Sequence, residues 1–312
     1  LRAAGGEISL TGQVDASGPA TRTVIQGRMS AMSLEALKLL WPSPIAPNAR
    51  RWSGLQIKQG RLAGGTFQIE DTALGSDKVR VGSPSGTRIA LSIEGINVRI
   101  QPKPGFSPVE APRVLVRLEG NMLEVAAPDA TIVTSPQRRL PLRGLRMVAA
   151  DVSAAGSMGD LTFRAQGMLP PALDLAEQQA TRNGRTLSLP GEGLDGRVDA
   201  QVRISVPLGD AVTADDTRLD IKGKITDGKA RGVFGGYDVN GATIAVELTD
   251  QALDAKGEML VGGVPAKLSL KRIFAAPEGE QPPILLTANL DTADRVQLGL
   301  DVNDFIVGEM SV

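Results

Sequence analysis

The chain has 312 residues, 42% hydrophobic and 3% aromatic, with acids and bases balanced to a formal net charge of −1. It contains no histidine and no cysteine, which excludes disulfides, thiolate catalysis, and the commonest general base and metal ligand. We therefore expect no enzyme, no cofactor and no metal site, and the lack of a basic stripe predicts no nucleic-acid partner. The length fits either one large domain or two ordinary ones.

The first half of the chain is dominated by alternation of apolar and polar residues, which is typical of strands with one face in water. Strands are predicted from about Glu7 to Met29, followed by a helix from Ser33 that Pro42 ends and one helical turn at 48–52. Strands resume at Leu55 and continue to Val152, separated by glycine or proline turns.

The second half begins with a break in this pattern between Pro170 and Pro190, where we predict a helix over 172–182. The surrounding stretch, 168–194, is interpreted as a local helical or loop insertion. Strands return at Arg197 and run to Arg272, with tight turns predicted at Asp227-Gly228 and Asn240-Gly241. A last short helix is predicted at 291–298, before a final strand.

A weak internal sequence repeat, here called the internal repeat, links the two halves. Ile57-x-x-Gly60-Arg61-x-x-Gly64 resembles Ile225-x-x-Gly228-Lys229-x-x-Gly232. Each is predicted to enter a turn from one strand and to leave in another, as in proteins built from repeated β-units, although chance similarity in a glycine-rich chain stays open.

Several motifs that suggest chemistry are rejected on their context. Gly191 to Gly196 matches the dinucleotide-binding pattern, but a clear strand follows where that site requires a helix. Gly156-Ser157-Met158-Gly159 has the wrong spacing for a nucleophile elbow. The acids at Asp215-Asp216 and Asp301 to Asp304 lack the glycine and the closing glutamate of an EF-hand loop.

Two groups of residues form distinctive motifs. The first is Leu37-x-x-Leu40-Trp41-Pro42, with Ala49-Arg50-x-Trp52 and Ile57-x-x-Gly60. The second is Leu290-Asp291-x-Ala293-x-Arg295-x-x-Leu298-Gly299-Leu300 with Phe305 to Gly308. Both groups resemble the signature of the AsmA-like family, in the branch typified by YhdP. Between them, Tyr237 to Ala242 and Gly262 to Leu268 match the family's strand pairs closed by glycine.

This resemblance implies a fold and a function. AsmA-like proteins, with TamB, are similar to bridge-like lipid transfer proteins, which form a long bent sheet with an apolar trough. We accordingly expect a mainly β chain: a long twisted antiparallel sheet curved into an open apolar groove of repeated β-units, with short helices near 33–52, 172–182 and 291–298. Residues 1–312 would be a single elongated groove segment of a longer protein.

The same resemblance implies a periplasmic location and an inner-membrane anchor in a segment outside this chain. The expected partners are phospholipid acyl chains and, through other parts of the protein, the inner and outer membranes. No catalytic residues or cofactors are implied. The alternative function is a structural or assembly scaffold that holds outer-membrane or secreted β-proteins by strand addition.

Residues on the apolar side of the predicted strands are the candidate lining of the lipid groove. A packed sandwich core of small aliphatic residues is the alternative role for the same positions. The candidates are Ile8, Leu10, Val198, Val202, Ile204, Val206, Leu219, Ile221, Ile225, Ile244, Val246, Leu248, Met259, Leu268, Leu270, Leu286 and Leu290.

Overall fold

The computed structural model describes residues 2–3, 5–17, 21–41, 47–71, 88–102, 106–154, 156–182, 192–208, 217–274, 276–300 and 310–311. It confirms the expected mainly β fold, with 68% strand and 13% helix, a large antiparallel sheet and a few short helices. The chain divides into two compact units. The first comprises 1–133, 141–163 and 205–216, and the second comprises 134–140, 164–204 and 217–312.

The first unit is built on an antiparallel meander. Its elements are β1 (Arg2–Ala3), β2 (Gly6–Asp15), β3 (Arg22–Met29), β4 (Met32–Ser33), α1 (Leu34–Leu40), α2 (Pro47–Gln56), β5 (Ile57–Asp71), β6 (Arg88–Ile100), β7 (Val109–Glu119) and β8 (Met122–Val133). Strands β2, β3, β5, β6, β7 and β8 pair in that order, each antiparallel to the next. The chain then forms β9 (Arg139–Ala149), β10 (Met158–Met168), α3 (Leu169–Arg182) and β11 (Glu192–Pro207).

The second unit carries a second meander. It consists of β12 (Arg218–Phe234), β13 (Tyr237–Thr249), β14 (Ala252–Val261), β15 (Val264–Ile273) and β16 (Leu285–Leu290), each antiparallel to the next. A 3-10 turn (Glu278–Glu280) lies between β15 and β16. Helix α4 (Thr292–Gln297) follows β16, and β17 (Met310–Ser311) ends the described chain.

The helices form at or near the predicted places, but α2 is longer than the single turn predicted at 48–52. It includes Leu55, where a strand was predicted to resume, and that prediction is wrong. The Ser33 hydroxyl accepts a hydrogen bond from the Ala36 amide and caps α1, while Asp291 and Asp294 form a capping box at α4. Helix α3 begins at Leu169, so Pro170 and Pro171 lie in its first turn. Proline is tolerated there because the first amides of a helix have no intrahelical acceptor.

Two predicted tight turns are wrong. Asp227-Gly228 lies inside β12 and Asn240-Gly241 inside β13, and the pairing register of these strands shifts at both places. The positive φ angles of Asp227 (53°) and Gly241 (62°) suit a β-bulge as well as a hairpin turn, so residue type alone does not separate the two. The hairpin between these strands instead uses Gly235 and Gly236.

Both copies of the internal repeat lie in strands that contain β-bulges. Its first copy lies in β5 and its second in β12, and the register shifts within each copy. Each copy is therefore one continuous strand, and the turn predicted in each is wrong. An extra residue in one strand increases the local twist of the pair, which is the common structural role of the two segments.

Each unit has a small hydrophobic core at one end of its meander. In the first unit, Ala36 of α1 packs with Ile8, Met29, Met32 and Leu62. In the second, the core contains Ala230, Val239, Ala242, Met259, Val261 and Ala266. Away from these cores, large aliphatic side chains continue along the same side of the strands.

Candidate functional site

The second unit presents an apolar face that crosses five strands in register. Residues paired across antiparallel strands share a face of the sheet. Ile225 of β12 pairs with Ile244 of β13, which pairs with Gly257 of β14. Gly257 pairs with Leu268 of β15, which pairs with Leu286 of β16. A single row of hydrocarbon therefore runs across the meander.

Two parallel rows extend this face. One joins Gly223, Val246, Ala255 and Leu270, and the next joins Ile221, Leu248 and Leu253. The apolar residues of all the rows are here called the second-unit apolar face. They are Ile221, Gly223, Ile225, Ile244, Val246, Leu248, Leu253, Ala255, Gly257, Met259, Ala266, Leu268, Leu270, Leu286 and Ala288.

The opposite face of the same strands is polar. Lys222 pairs with Glu247 across β12 and β13, and Lys267 of β15 forms an ion pair with Glu258 at 3.8 Å. Lys256 of β14 likewise lies 3.2 Å from the Asp254 carboxylate. Charged side chains therefore lie almost entirely on one face of these strands and aliphatic side chains on the other.

The second-unit apolar face is closed at one end and more exposed at the other. Val261, Val264 and Met259 are at most 6% exposed. Near them α4 is fastened to the strands: the Tyr237 hydroxyl donates to the Leu298 carbonyl and the Gln297 side-chain amide donates to the Gly262 carbonyl. Towards the other end, Ile221, Val246, Leu248, Leu253 and Leu270 are only half-buried.

Two small residues occupy the middle of this face. Ala255 and Gly257 are successive inward-facing residues of β14, between Ile244 and Val246 on one side and Leu268 and Leu270 on the other. Neighbouring backbone comes so close that a Cβ on Gly257 would overlap the Thr243 carbonyl. Gly257 therefore permits the close approach of β13 to β14.

Strand β11 contributes to the same side. A Cβ on Gly223 would lie 2.8 Å from the Ala200 Cβ, so Ala200 faces the row that contains Gly223. The alternation of a strand then places Val198, Val202 and Ile204 on this side as well. Val198 and Ile204 are half-buried, whereas Val202 is 9% exposed.

Apart from Val198, Val202 and Ile204 on β11, the predicted lining residues fall into three groups. Leu219, Ile221, Ile225, Ile244, Val246, Leu248, Leu268, Leu270 and Leu286 lie together on β12, β13, β15 and β16 of the second unit and are half-buried. Met259 and Leu290 lie on β14 and β16 but are 5% and 0% exposed, so the protein itself covers them. Ile8, Leu10 and Val206 belong to the first unit.

The first unit carries an apolar face of its own. Among the residues of this face, only Ile8 and Leu10 were predicted to line the groove. Ile8 pairs with Met29 and is 7% exposed beneath α1, whereas Leu10 pairs with Gly27 and is 51% exposed. The first-unit apolar face continues through Ile25, Phe67, Ile69, Ile89, Leu91, Ile93, Val116, Leu118, Leu123 and Val125. The alternation in 88–93 and 113–118 was the signal for these residues.

Ion pairs lie on the polar side of several strands. Two guanidinium nitrogens of Arg164, Nε and Nη2, each donate a hydrogen bond to the Asp199 carboxylate at 2.6 Å. The side-chain amide of Gln166 donates to the same carboxylate at 2.9 Å. Hydrogen bonds from Arg164 and then Gln166 lower the pKa of Asp199. In the first unit, a hydrogen bond from Arg146 lowers the pKa of Glu124 in the same way. These shifts accompany surface pairing and give no pattern of acid and base catalysis.

One charged residue stands on the second-unit side that is otherwise apolar. Arg272 pairs with Leu253, in the row that contains Ile221 and Leu248. It is the one charged residue among the register-paired positions on this side of β12–β16. Alternation in β15 already places Arg272 on the side of Leu268 and Leu270, and the register confirms that the adjacent Lys271 lies on the opposite face.

The rejected motifs gain no support as chemical sites. Gly193 and Gly196 lie within β11, and Gly196 packs against Gly228 where a Cβ would come within 3.0 Å of the Gly228 Cα. Asp215-Asp216 and Asp301 to Asp304 lie outside the described residues. Over the described ranges, no group of three or more acids could hold a metal ion, and no helix is long and apolar enough to cross a bilayer.

Comparison with known proteins adds no relative. No protein-family model, no curated protein and no solved structure matches this chain.

Proposed function

We propose that this protein shields phospholipid acyl chains from water and conducts them between membranes. It would act in the periplasm of a Gram-negative cell, anchored to the inner membrane by a segment outside this chain, and carry lipid toward the outer membrane. The observation that carries the proposal is the register across β12–β16, which joins half-buried Ile, Leu and Val side chains into continuous rows. The location and the direction of transfer follow from the resemblance described above.

The size of this face suits an acyl chain. Neighbouring strands lie about 4.8 Å apart, so a row from β12 to β16 is about 19 Å long. The hydrocarbon half of a bilayer is about 15 Å thick. Moving about 14 methylenes into water costs on the order of 11 kcal/mol at ~0.8 kcal/mol each. A row of aliphatic side chains offsets part of that cost over the whole length of the tail.

The chemistry of the face also suits a mobile ligand. Apart from Arg272 at the end of the outermost row, the rows contain only aliphatic side chains and glycine, without an aromatic ring or a hydrogen-bonding group that would hold a tail in one place. A transfer protein needs apolar cover without a deep well, since tight binding would slow release. The covered core near α4 differs, because there the protein fills its own face with Met259, Val261 and Leu290.

The first experiment measures bound lipid directly. The chain, purified from a Gram-negative host, is analysed by native mass spectrometry. A photo-crosslinking residue is then placed at Leu248, on the apolar face, or at Glu247, its neighbour on the polar face. We expect co-purifying phospholipid and lipid adducts at least several-fold more abundant from position 248 than from position 247.

The outcomes separate this proposal from the scaffold alternative. Equal labelling at positions 247 and 248, or no lipid in the native spectrum, contradicts lipid shielding. Adducts from position 248 that contain a protein and no lipid would favour a scaffold for β-proteins. The same strand carries both probes, so differences in expression or folding are minimised.

A further inference from the structure

Arg272 occupies an unusual position for a charged side chain. It lies in the outermost register-paired row of the second unit, beside Leu253 and in line with Leu248 and Ile221. The other cationic residues of β12 to β16 that pair across neighbouring strands, such as Lys222, lie on the polar face. Arg272 is half-buried, and no ion pair to it is found among the residues that the structure describes.

The neighbouring acids do not account for this cation. Asp254 and Glu258, the two acids of β14, lie on the polar face, where they contact Lys256 and Lys267 respectively. An arginine can lay its aliphatic stem along apolar neighbours and keep its guanidinium in water. In the outermost row, the aliphatic part of the Arg272 side chain extends the apolar surface beside Leu253. Its guanidinium lies at the end of this row, at the more exposed side of the face.

A guanidinium at the end of an apolar row matches the two parts of a phospholipid. Its planar fork of donors fits two phosphate oxygens at once, and such charge-assisted pairs are stronger than neutral hydrogen bonds. An acyl chain lying on the rows of Val246 and Leu248 would place its head group near the exposed end of the face. We infer that Arg272 binds the phosphate of a phospholipid whose acyl chains lie on the second-unit apolar face. This inference rests on the proposed function and adds to it a selection for phosphate-bearing lipids.

The test compares lipids that share acyl chains and differ in their head groups. The full chain is incubated with dioleoyl phosphatidylglycerol, dioleoyl phosphatidylethanolamine or dioleoylglycerol, and bound lipid is counted by native mass spectrometry. The variants are Arg272→Gln, Arg272→Lys and Lys271→Gln. Lys271 is the matched control, since it is the preceding residue of the same strand and pairs with Asp254 on the polar face.

We expect the unaltered chain to prefer both phospholipids over dioleoylglycerol by about tenfold, as a charge-assisted hydrogen bond allows. Arg272→Gln should remove that preference equally for the two phospholipids and leave dioleoylglycerol binding unchanged. Lys271→Gln should keep the preference, and Arg272→Lys should keep part of it because the charge remains without the fork.

The inference is overturned if Arg272→Gln keeps the preference, or if it weakens dioleoylglycerol binding as much as phospholipid binding. The second result would assign Arg272 a structural role only. If the unaltered chain binds none of the three lipids, the proposed function itself fails. If it binds all three equally, only the inference about Arg272 fails.

Discussion

The ring of Phe67 occupies the space where a side chain on Gly27 would lie. The two residues are directly paired across β3 and β5, and a Cβ on Gly27 would overlap the ring. The glycine leaves its strand without a side chain at this position, and the aromatic ring of the neighbouring strand covers the gap. This pair lies on the first-unit apolar face, next to the core under α1.

Replacing Gly27 with alanine should destabilise the protein, because the added methyl group displaces the Phe67 ring from a packed position. The expected cost is about 1–3 kcal/mol, measured as a lower midpoint of urea unfolding. Gly12→Ala is the matched control on the adjacent strand, where the new Cβ meets nothing closer than the Val24 carbonyl at 4.0 Å. Equal midpoints for the two variants would show that the ring moves freely.

Truncation of Leu290 tests how firmly α4 closes its end of the second unit. Leu290 is 0% exposed and its carbonyl accepts a hydrogen bond from Arg295 at 3.4 Å. Leu290→Ala should lower the free energy of unfolding by about 2–5 kcal/mol, through lost burial and a cavity. Leu285→Ala, on the same strand at 55% exposure, should cost far less. A similar loss in both variants would contradict the difference in burial.

A charge placed on the second-unit apolar face should abolish lipid binding. Val246→Asp puts a carboxylate between Gly223 and Ala255, where a tail on the face would have to desolvate it. We expect bound phospholipid to fall by about tenfold or more, since an unpaired buried charge costs well over 1.4 kcal/mol. The measurement is native mass spectrometry, with circular dichroism to confirm that the sheet persists.

The control for that variant is Ala245→Asp, one residue earlier on the polar face. Ala245 pairs with Lys224 and Lys256, so an aspartate there gains two cationic neighbours. Lipid binding should stay near that of the unaltered chain. Loss of lipid in both variants would mean that the change in charge acts through stability and not through the apolar face.

The Asp199 pair gives a prediction about pH. Arg164 and Gln166 lower the pKa of Asp199 below its ordinary value of 3.8. Its contribution to stability is therefore present above that value and lost as the pH falls through the lowered one. The carboxylate is 42% exposed, so the contribution is at most about 1 kcal/mol. Asp199→Asn should reduce stability at pH 7, and this effect should shrink as the pH falls through the lowered pKa.

That pH dependence is checked by urea unfolding at several pH values. In an Arg164→Gln background, the difference between aspartate and asparagine at position 199 should shrink at pH 7, since the main hydrogen-bonding partner is gone. A difference that stays constant down to pH 2 would contradict ionic pairing as its source.

The fold class was predictable because alternation is a local signal. The segment 197–206 reads as a strand from its own residues, and Ser33 and Asp291 mark helix starts by capping chemistry alone. The start of α3 was missed by three residues, since Pro170 and Pro171 suggest a break even where the first turn of a helix accepts them.

The composition of the apolar face was only partly predictable, because register is a long-range property. Alternation places Ile244 and Leu268 on the apolar side of their own strands, but nothing local shows that Gly257 joins them in one row. Leu290 alternates as the other lining residues do, yet it is 0% exposed. Alternation likewise places Arg272 on the side of Leu268, but only its pairing with Leu253 shows which row it extends.

The bulge at Asp227 changes which residues of β12 face inward. Before it, Leu219 to Ile225 turn every odd-numbered side chain inward, and after it Gly228 and Ala230 turn the even-numbered ones inward. If β12 instead alternated strictly through Asp227 without a bulge, every later side chain would change face. Lys229 and Arg231 would then enter the core and Ala230 would meet solvent. The polarity of this strand is thus encoded by an extra residue that bears no hydrophobic side chain itself.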